Sequence, residues 1–157
     1  MDFEELIKQL PPEDQAEILK AASDWMDSEK MEKGQNKFMS FVHSMWPGFV
    51  DGRHHKVMAK KFEEIAQGKL KRLIINMPPR HTKSEFASFM LPAWYLGLFP
   101  NKKIIQCSNT AELAVGFGRK VRNLVDSQAY GKIFPNVNLR SDSKAAGRWS
   151  TNGNGEY

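Results

Sequence analysis

Arg72-Leu-Ile-Ile-Asn-Met-Pro-Pro-Arg-His-Thr-Lys-Ser-Glu85 is the stretch on which the reading of this chain turns. Leu73, Ile74 and Ile75 form a short apolar, mostly β-branched run closed by turn residues, the pattern of a strand covered on both faces. Glu85-Phe-Ala-Ser-Phe-Met-Leu91 is a good helix start. Strand, basic loop, Lys-Ser and helix in that order are the setting of a phosphate-binding loop. Backbone N–H groups and the helix N-terminus surround the phosphates, Lys83 reaches the β/γ oxygens, and the Ser84 hydroxyl holds Mg²⁺. Measured against G-x-x-x-x-G-K-[ST], the chain has Met77 and Thr82 where glycine is required. Thr82 is the sharper departure, because a β-branched residue resists the positive φ and close phosphate approach that glycine permits. Pro78 and Pro79 also remove two amide donors. On the motif alone, a structural turn bearing a solvated lysine and arginine is an equal alternative.

Downstream, residues 83–97 read as a helix with Phe86, Phe89, Met90, Trp94 and Tyr95 nearly all round it, hence buried between a sheet and its neighbours. Pro92 predicts a kink or break near residue 91. Asn101-Lys-Lys103 turns into Ile104-Ile-Gln-Cys-Ser108, a second strand. Strand, helix, strand then makes a right-handed βαβ unit with parallel strands, the nucleus of a nucleotide-binding α/β sheet. A helix over 110–126 follows, with Ser108, Asn109 or Thr110 as cap and Glu112 in its first turn. It gathers Arg119, Lys120 and Arg122, a basic triplet suited to tracking a DNA backbone without reading sequence, with Val115, Val121, Leu124 and Val125 on the packing side. A solvated basic surface is the plainer alternative. Residues 127–134 are a loop or short helix. Gly147-Arg-Trp-Ser-Thr151 before Asn152-Gly-Asn-Gly155 suggests a strand entering a hairpin turn.

Upstream, residues 2–10 make a short amphipathic helix at best, closed by Pro11-Pro12. Pro12 opens a helix to about Met31, with Glu13 and Asp14 in its first turn and Ala16, Ile18, Leu19, Ala22, Trp25 and Met26 at helical spacing. Glu29 to Gln35 reads as a polar joint, which makes 1–33 a helical arm. Its apolar stripe suits packing on its own domain, and docking on a partner is the alternative. Phe38, Met39, Phe41, Val42, Met45 and Trp46 give a further helical face. A helix over 54–68 turns Val57, Met58, Phe62 and Ile65 inward and stops at Gly68. The adjacent His54 and His55 diverge by about 100° on a helix and have no Cys or acidic triad near them, so they do not read as a metal site.

At 157 residues the chain is one domain by length. It contains no apolar run of roughly 18 residues or more, and its acidic start is the opposite of a secretory leader, so no membrane association and an intracellular location are expected. Cys107 is the single cysteine and reads as a buried small hydrophobe. The net charge of +5 is unevenly spread: residues 1–32 are acid-rich, whereas 53–83 and 102–122 collect Arg and Lys, as suits phosphate or nucleic-acid contact.

Asn76-Met-Pro-Pro-Arg-His-Thr-Lys-Ser-Glu85, Pro92-Ala-Trp-Tyr-Leu96 and Phe117-Gly-Arg-Lys-Val-Arg-Asn-Leu124 resemble the start of the ATPase domain of tailed-bacteriophage terminase large subunits. That family's loop typically reads Pro-Pro-Arg-His-Gly-Lys-Ser, so Thr82 is the single departure in the core heptad. The likeness spans roughly residues 35–157, with several blocks in the right order. It implies a P-loop NTPase α/β fold, a parallel sheet flanked by helices, with residues 34–157 as the amino-terminal portion of that domain behind the 1–33 arm. It implies ATP and Mg²⁺ as cofactors, with Pro79, Arg80, His81, Thr82, Lys83, Ser84 and Glu85 at the nucleotide. Lys83 and Arg80 would be the catalytic groups, Arg80 facing γ-phosphate charge in cis. His54 or a neighbour would line the adenine pocket. Ser108 and Asn109 would occupy a DNA-contacting segment, although capping alone also explains them.

The implied activity is an ATP-driven motor moving double-stranded DNA into a procapsid. Its expected partners are the portal protein and small terminase subunit, its assembly a homo-oligomeric ring, and its location the cytoplasm of the bacterial host. No apolar run ending in Asp-Asp or Asp-Glu occurs after residue 108. The strand that would position metal and attacking water is thus expected to be missing, as is the later nuclease domain, and the chain is expected to be an amino-terminal portion with negligible hydrolysis alone. The rival readings are a non-catalytic module docking on DNA, portal or small subunit, and a helicase-like ATPase.

Overall fold

The computed structural model describes residue 7, residues 10–145 and residues 147–157. The short helix predicted over 2–10 lies outside the described residues, apart from positions 7 and 10.

Pro12 sits at the first turn of α1, Pro12–Asn36, where its missing N–H costs nothing. The helix runs straight through the stretch expected to be a joint. Lys33 pairs with Glu29 one turn back at 2.7 Å, and Gly34 packs against Ile133 while its carbonyl accepts the Trp94 indole N–H at 3.0 Å, so the last turns are docked on the body. One extended residue, Lys37, separates α1 from α2, Phe38–Met45. Glu63 caps α2 by accepting the Phe38 N–H at 3.0 Å. α3 spans Arg53–Ala66 and ends before Gly68, whose φ of +72° makes the left-handed stop that glycine permits.

The helix after the basic loop is π-helical over Glu85–Met90 and passes directly into α4, Leu91–Leu98. Pro92 lies in the first turn of α4, so the expected break at residue 91 is realised as a change of helix type: proline cannot donate, and the wider π turns before it absorb the lost bond. α5 covers Ala111–Val125 and α6 Gln128–Ile133. Thr110 and Ser127 cap them through side-chain oxygens that accept from Leu113 and Tyr130 N–H groups. β1, Leu139–Lys144, pairs antiparallel with β2, Trp149–Thr151. Beyond β2 the chain turns, and Tyr157 exchanges two backbone bonds with Trp149 at 3.1 and 2.9 Å, the hairpin suggested by Asn152-Gly-Asn-Gly155.

The predicted parallel sheet is not formed. Among the described residues the structure is mostly helical, and its one sheet has two antiparallel strands, β1 and β2. Residues 72–77 are extended, with Leu73, Ile75 and Met77 against the core, but no strand pairs with them and Ile74 is 85% exposed. Residues 105–108 behave alike, with Ile105 88% exposed, and just before them a single parallel bridge joins Lys103 to Glu156, the Ile104 N–H donating to the Glu156 carbonyl at 2.8 Å. A strand exists only with a neighbour at about 4.8 Å to bond. An apolar β-branched run states a preference for extended backbone without supplying that neighbour, so the P-loop NTPase architecture and its βαβ unit are corrected here. Two smaller expectations also fail: Val57 is 57% exposed, and Cys107 is exposed. No helix among the described residues is long and apolar enough to cross a membrane.

Aromatic rings fill the core. Phe38, fully buried, meets Phe62, Phe86 and Trp94 edge-on at centroid distances of 5.2, 5.7 and 5.5 Å, joining α2 to α3, the π-helical segment and α4. Tyr130 is buried with its hydroxyl donating to the Ala93 carbonyl at 2.9 Å, and Trp149 donates to the Gly118 carbonyl at 3.1 Å. Gly97 is a tight joint: a Cβ there would lie 2.5 Å from the buried Phe134 ring. Gly97→Ala is expected to destabilise the fold by about 1–3 kcal/mol through overpacking, read as a lower denaturant midpoint with an unchanged slope.

Candidate functional site

The loop between the extended segment and the π-helical segment has an unusual backbone. Arg80 and Thr82 hold φ of +64° and +58°, the left-handed region that L residues rarely enter and β-branched ones least of all. Each such residue costs about 1–3 kcal/mol and persists only when its surroundings impose it. Helical backbone begins at Lys83, and the first backbone bond into the helix runs from the Phe86 N–H to the Thr82 carbonyl at 3.0 Å. The amides ahead of Phe86 are therefore the orphan donors of a helix start. The Lys83 ammonium folds across the loop to the Pro78 carbonyl at 3.4 Å. His81 donates from Nδ1 to the Pro79 carbonyl at 2.9 Å, closing the turn around Arg80, which makes no ion pair among the described residues.

α3 supports the loop from beneath. His55, 6% exposed, brings Nε2 to 2.6 Å from the Thr82 hydroxyl, and the His54 ring lies 6.0 Å from that of His81. His54 also lines a cavity of about 570 Å³ with Arg53, Val57 and Met58 of α3 and residues 73–77 of the extended segment. The cavity has a largely apolar lining beside the loop, with Arg53 and Lys61 as its cationic groups.

The sites assigned to nucleotide and to DNA prove to be neighbours. Glu85, expected at the nucleotide, accepts from Lys120 at 3.0 Å, and the Lys120 ammonium lies over the Phe89 and Phe117 rings at 5.9 and 5.5 Å. The Lys120 side chain, 53% exposed, is thus held at the surface by a carboxylate and two aromatic faces. Arg122 donates to Asn123, and Arg119 is exposed. Ser108 donates to Asn109 at 3.2 Å, and both are exposed. Asn109 and Lys120 line one cavity of about 490 Å³ with Thr110, Glu112, Leu113, Gly116 and Phe117.

The donors present fit a polyphosphate: orphan amides at a helix start, an ammonium and an unpaired guanidinium on one turn. Ser84, exposed, offers a single hydroxyl to Mg²⁺, and no group of three His, Cys, Asp or Glu among the described residues could hold a metal ion. Magnesium fits here only with phosphate oxygens and water as its other ligands. Sequence reasoning missed His55, whose signal was its position three residues after Gly52, where it accepts the Gly52 N–H on Nδ1 at 2.9 Å as an N3 capping residue. The chain matches no protein-family model, no curated protein and no solved structure.

Proposed function

We propose that the loop from Pro78 to Glu85 binds the phosphate chain of ATP, and that the chain is the ATP-binding part of a viral DNA-packaging motor of the terminase large-subunit kind. Support comes from the backbone of Thr82, which takes the left-handed conformation of a phosphate-loop glycine directly before Lys83 and a helix start. Lys83 leaves the Pro78 carbonyl for the β/γ oxygens, Arg80 meets γ-phosphate charge, and the base lies beside His54. Bound ATP supplies the phosphoanhydride whose cleavage drives double-stranded DNA movement in the assembled motor, a ring docked on portal and small subunit. Hydrolysis by this chain alone is negligible, because phosphoryl transfer needs metal and water positioned together.

Melting with and without Mg-ATP tests this reading. Ligand at 100 times its dissociation constant adds about 2.7 kcal/mol to stability, and an unmoved midpoint at millimolar Mg-ATP overturns it.

A second reading, an interaction module, has its own observation. Leu19, Trp25 and Met26 on the outer part of α1 are 59%, 65% and 63% exposed, so the apolar stripe expected to pack on the domain is left open to solvent. Retained binding of duplex DNA, or of a portal or small-subunit partner, without any nucleotide-induced rise in melting temperature favours it.

A further inference from the structure

Thr82 stands at a turn that ordinarily requires glycine, and its hydroxyl is fastened on two sides. His55 Nε2 lies 2.6 Å from Thr82 Oγ1, and Oγ1 donates onward to the His81 carbonyl at 2.7 Å. His55 is itself immobilised. Its ring stacks on Phe86 at 4.8 Å and meets Phe49 edge-on at 4.9 Å, and Nδ1 accepts the Gly52 N–H, which leaves Nε2 as the nitrogen that carries the proton. Phe86 is also the residue whose N–H makes the first backbone bond of the loop's helix. One imidazole therefore ties the start of α3, the strained turn and the helix together.

We propose that His55, in its neutral Nε2–H form, is the positioning residue that holds Thr82 in a glycine-type backbone and so presents the loop amides to a phosphate chain. The inference rests on the phosphate-binding reading of the loop. In this chain the conformational freedom of the missing glycine is replaced by a hydrogen bond from outside the loop, and that replacement brings a pH dependence that glycine would not have. Protonation places a hydrogen on Nδ1, where the Gly52 N–H already points, and two donors facing each other release the ring.

The charged groups around the imidazole come from its own helix, from the loop and from the turn before α3. Burial pushes His55 below the usual imidazole range, the nearby His54 and His81 push it the same way, and Asp51 opposes them while paired to Lys56 at 3.2 Å. The unfolded chain accordingly binds the extra proton first. The contribution of His55 to stability is complete above the ordinary histidine value of about 6.5 and is lost as pH falls from there toward the lowered folded value. Phosphate binding follows the same course, level at neutral pH and declining in acid.

A double-mutant cycle read by titration calorimetry with Mg-ATP and with inorganic triphosphate tests the assignment. His55→Ala is expected to weaken binding about tenfold with Thr82 present but less than about threefold in a Thr82→Gly background, where the turn needs no support. Equal losses in both backgrounds overturn the proposal. His55→Gln keeps an N–H near the Nε2 position and cannot titrate in this range, so it is expected to retain affinity and lose the acid decline; an acid decline identical to that of the parent chain also overturns it. Amide spectra of the protein without ligand separate this inference from the function it rests on. Thr82→Val, which keeps the shape and removes the hydroxyl, is expected to shift the His81 to Ser84 amides and change the His55 tautomer signals. Unmoved amides refute the positioning role. Moved amides in a protein that binds neither ATP nor triphosphate uphold it and refute the phosphate-binding reading.

Discussion

Replacing Lys83 by alanine is expected to weaken Mg-ATP binding by about ten- to a hundredfold, ~1.4–2.8 kcal/mol, with the melting temperature of the unliganded protein unchanged. The size follows from what the ammonium does. It is the cation of the turn nearest the helix start, and a hydrogen bond to a charged group contributes about 1.5–3 kcal/mol where a neutral one contributes about half that. In the unliganded chain it rests on the Pro78 carbonyl at 3.4 Å, long enough that losing the contact costs little. Lys83→Arg is an informative companion, because the planar guanidinium is a poor substitute for a point charge inside a narrow loop. Titration calorimetry on the three proteins decides the matter, and an alanine variant that binds as tightly as its parent removes Lys83 from the site.

Phe38→Ala is expected to cost about 3–5 kcal/mol. The ring is fully buried and touches Phe62, Phe86 and Trp94, so its removal opens a hole where α2, α3, the π-helical segment and α4 converge. Rings packed edge-on cannot slide inward to refill that space, and their mutual quadrupole attraction is lost with it. Urea unfolding checks the figure, a loss below about 1 kcal/mol indicating that the neighbouring helices collapse into the hole. The variant also probes the site, because Phe86, which Phe38 touches, also stacks on His55.

The candidate loop could be picked out in the sequence because its residue types are local in meaning: a lysine and a serine ahead of a helix start suit an anion, although on the motif alone a structural turn suits them equally. His55 was not legible as part of it. It lies 27 positions before Thr82, and the pair acquires meaning only when α3 is folded beneath the loop. The link between Glu85 and Lys120, 35 positions apart, escaped for the same reason, and it joins a residue expected at the nucleotide to one expected at DNA by a surface ion pair.

The helices were set by the chain's own order of residues. Pro12 with Glu13 and Asp14, the apolar spacing from Phe38 to Met45 and from Val115 to Val125, the glycine stop at 68 and the caps at Thr110 and Ser127 each act within one or two turns, the range over which helical hydrogen bonds close. Tertiary structure alone decided the pairing of extended segments, because a strand's hydrogen bonds go to residues distant in sequence: 72–77 and 104–108 found no ladder with each other, whereas Leu139 to Lys144, with little apolar content to announce it, found one with Trp149 to Thr151.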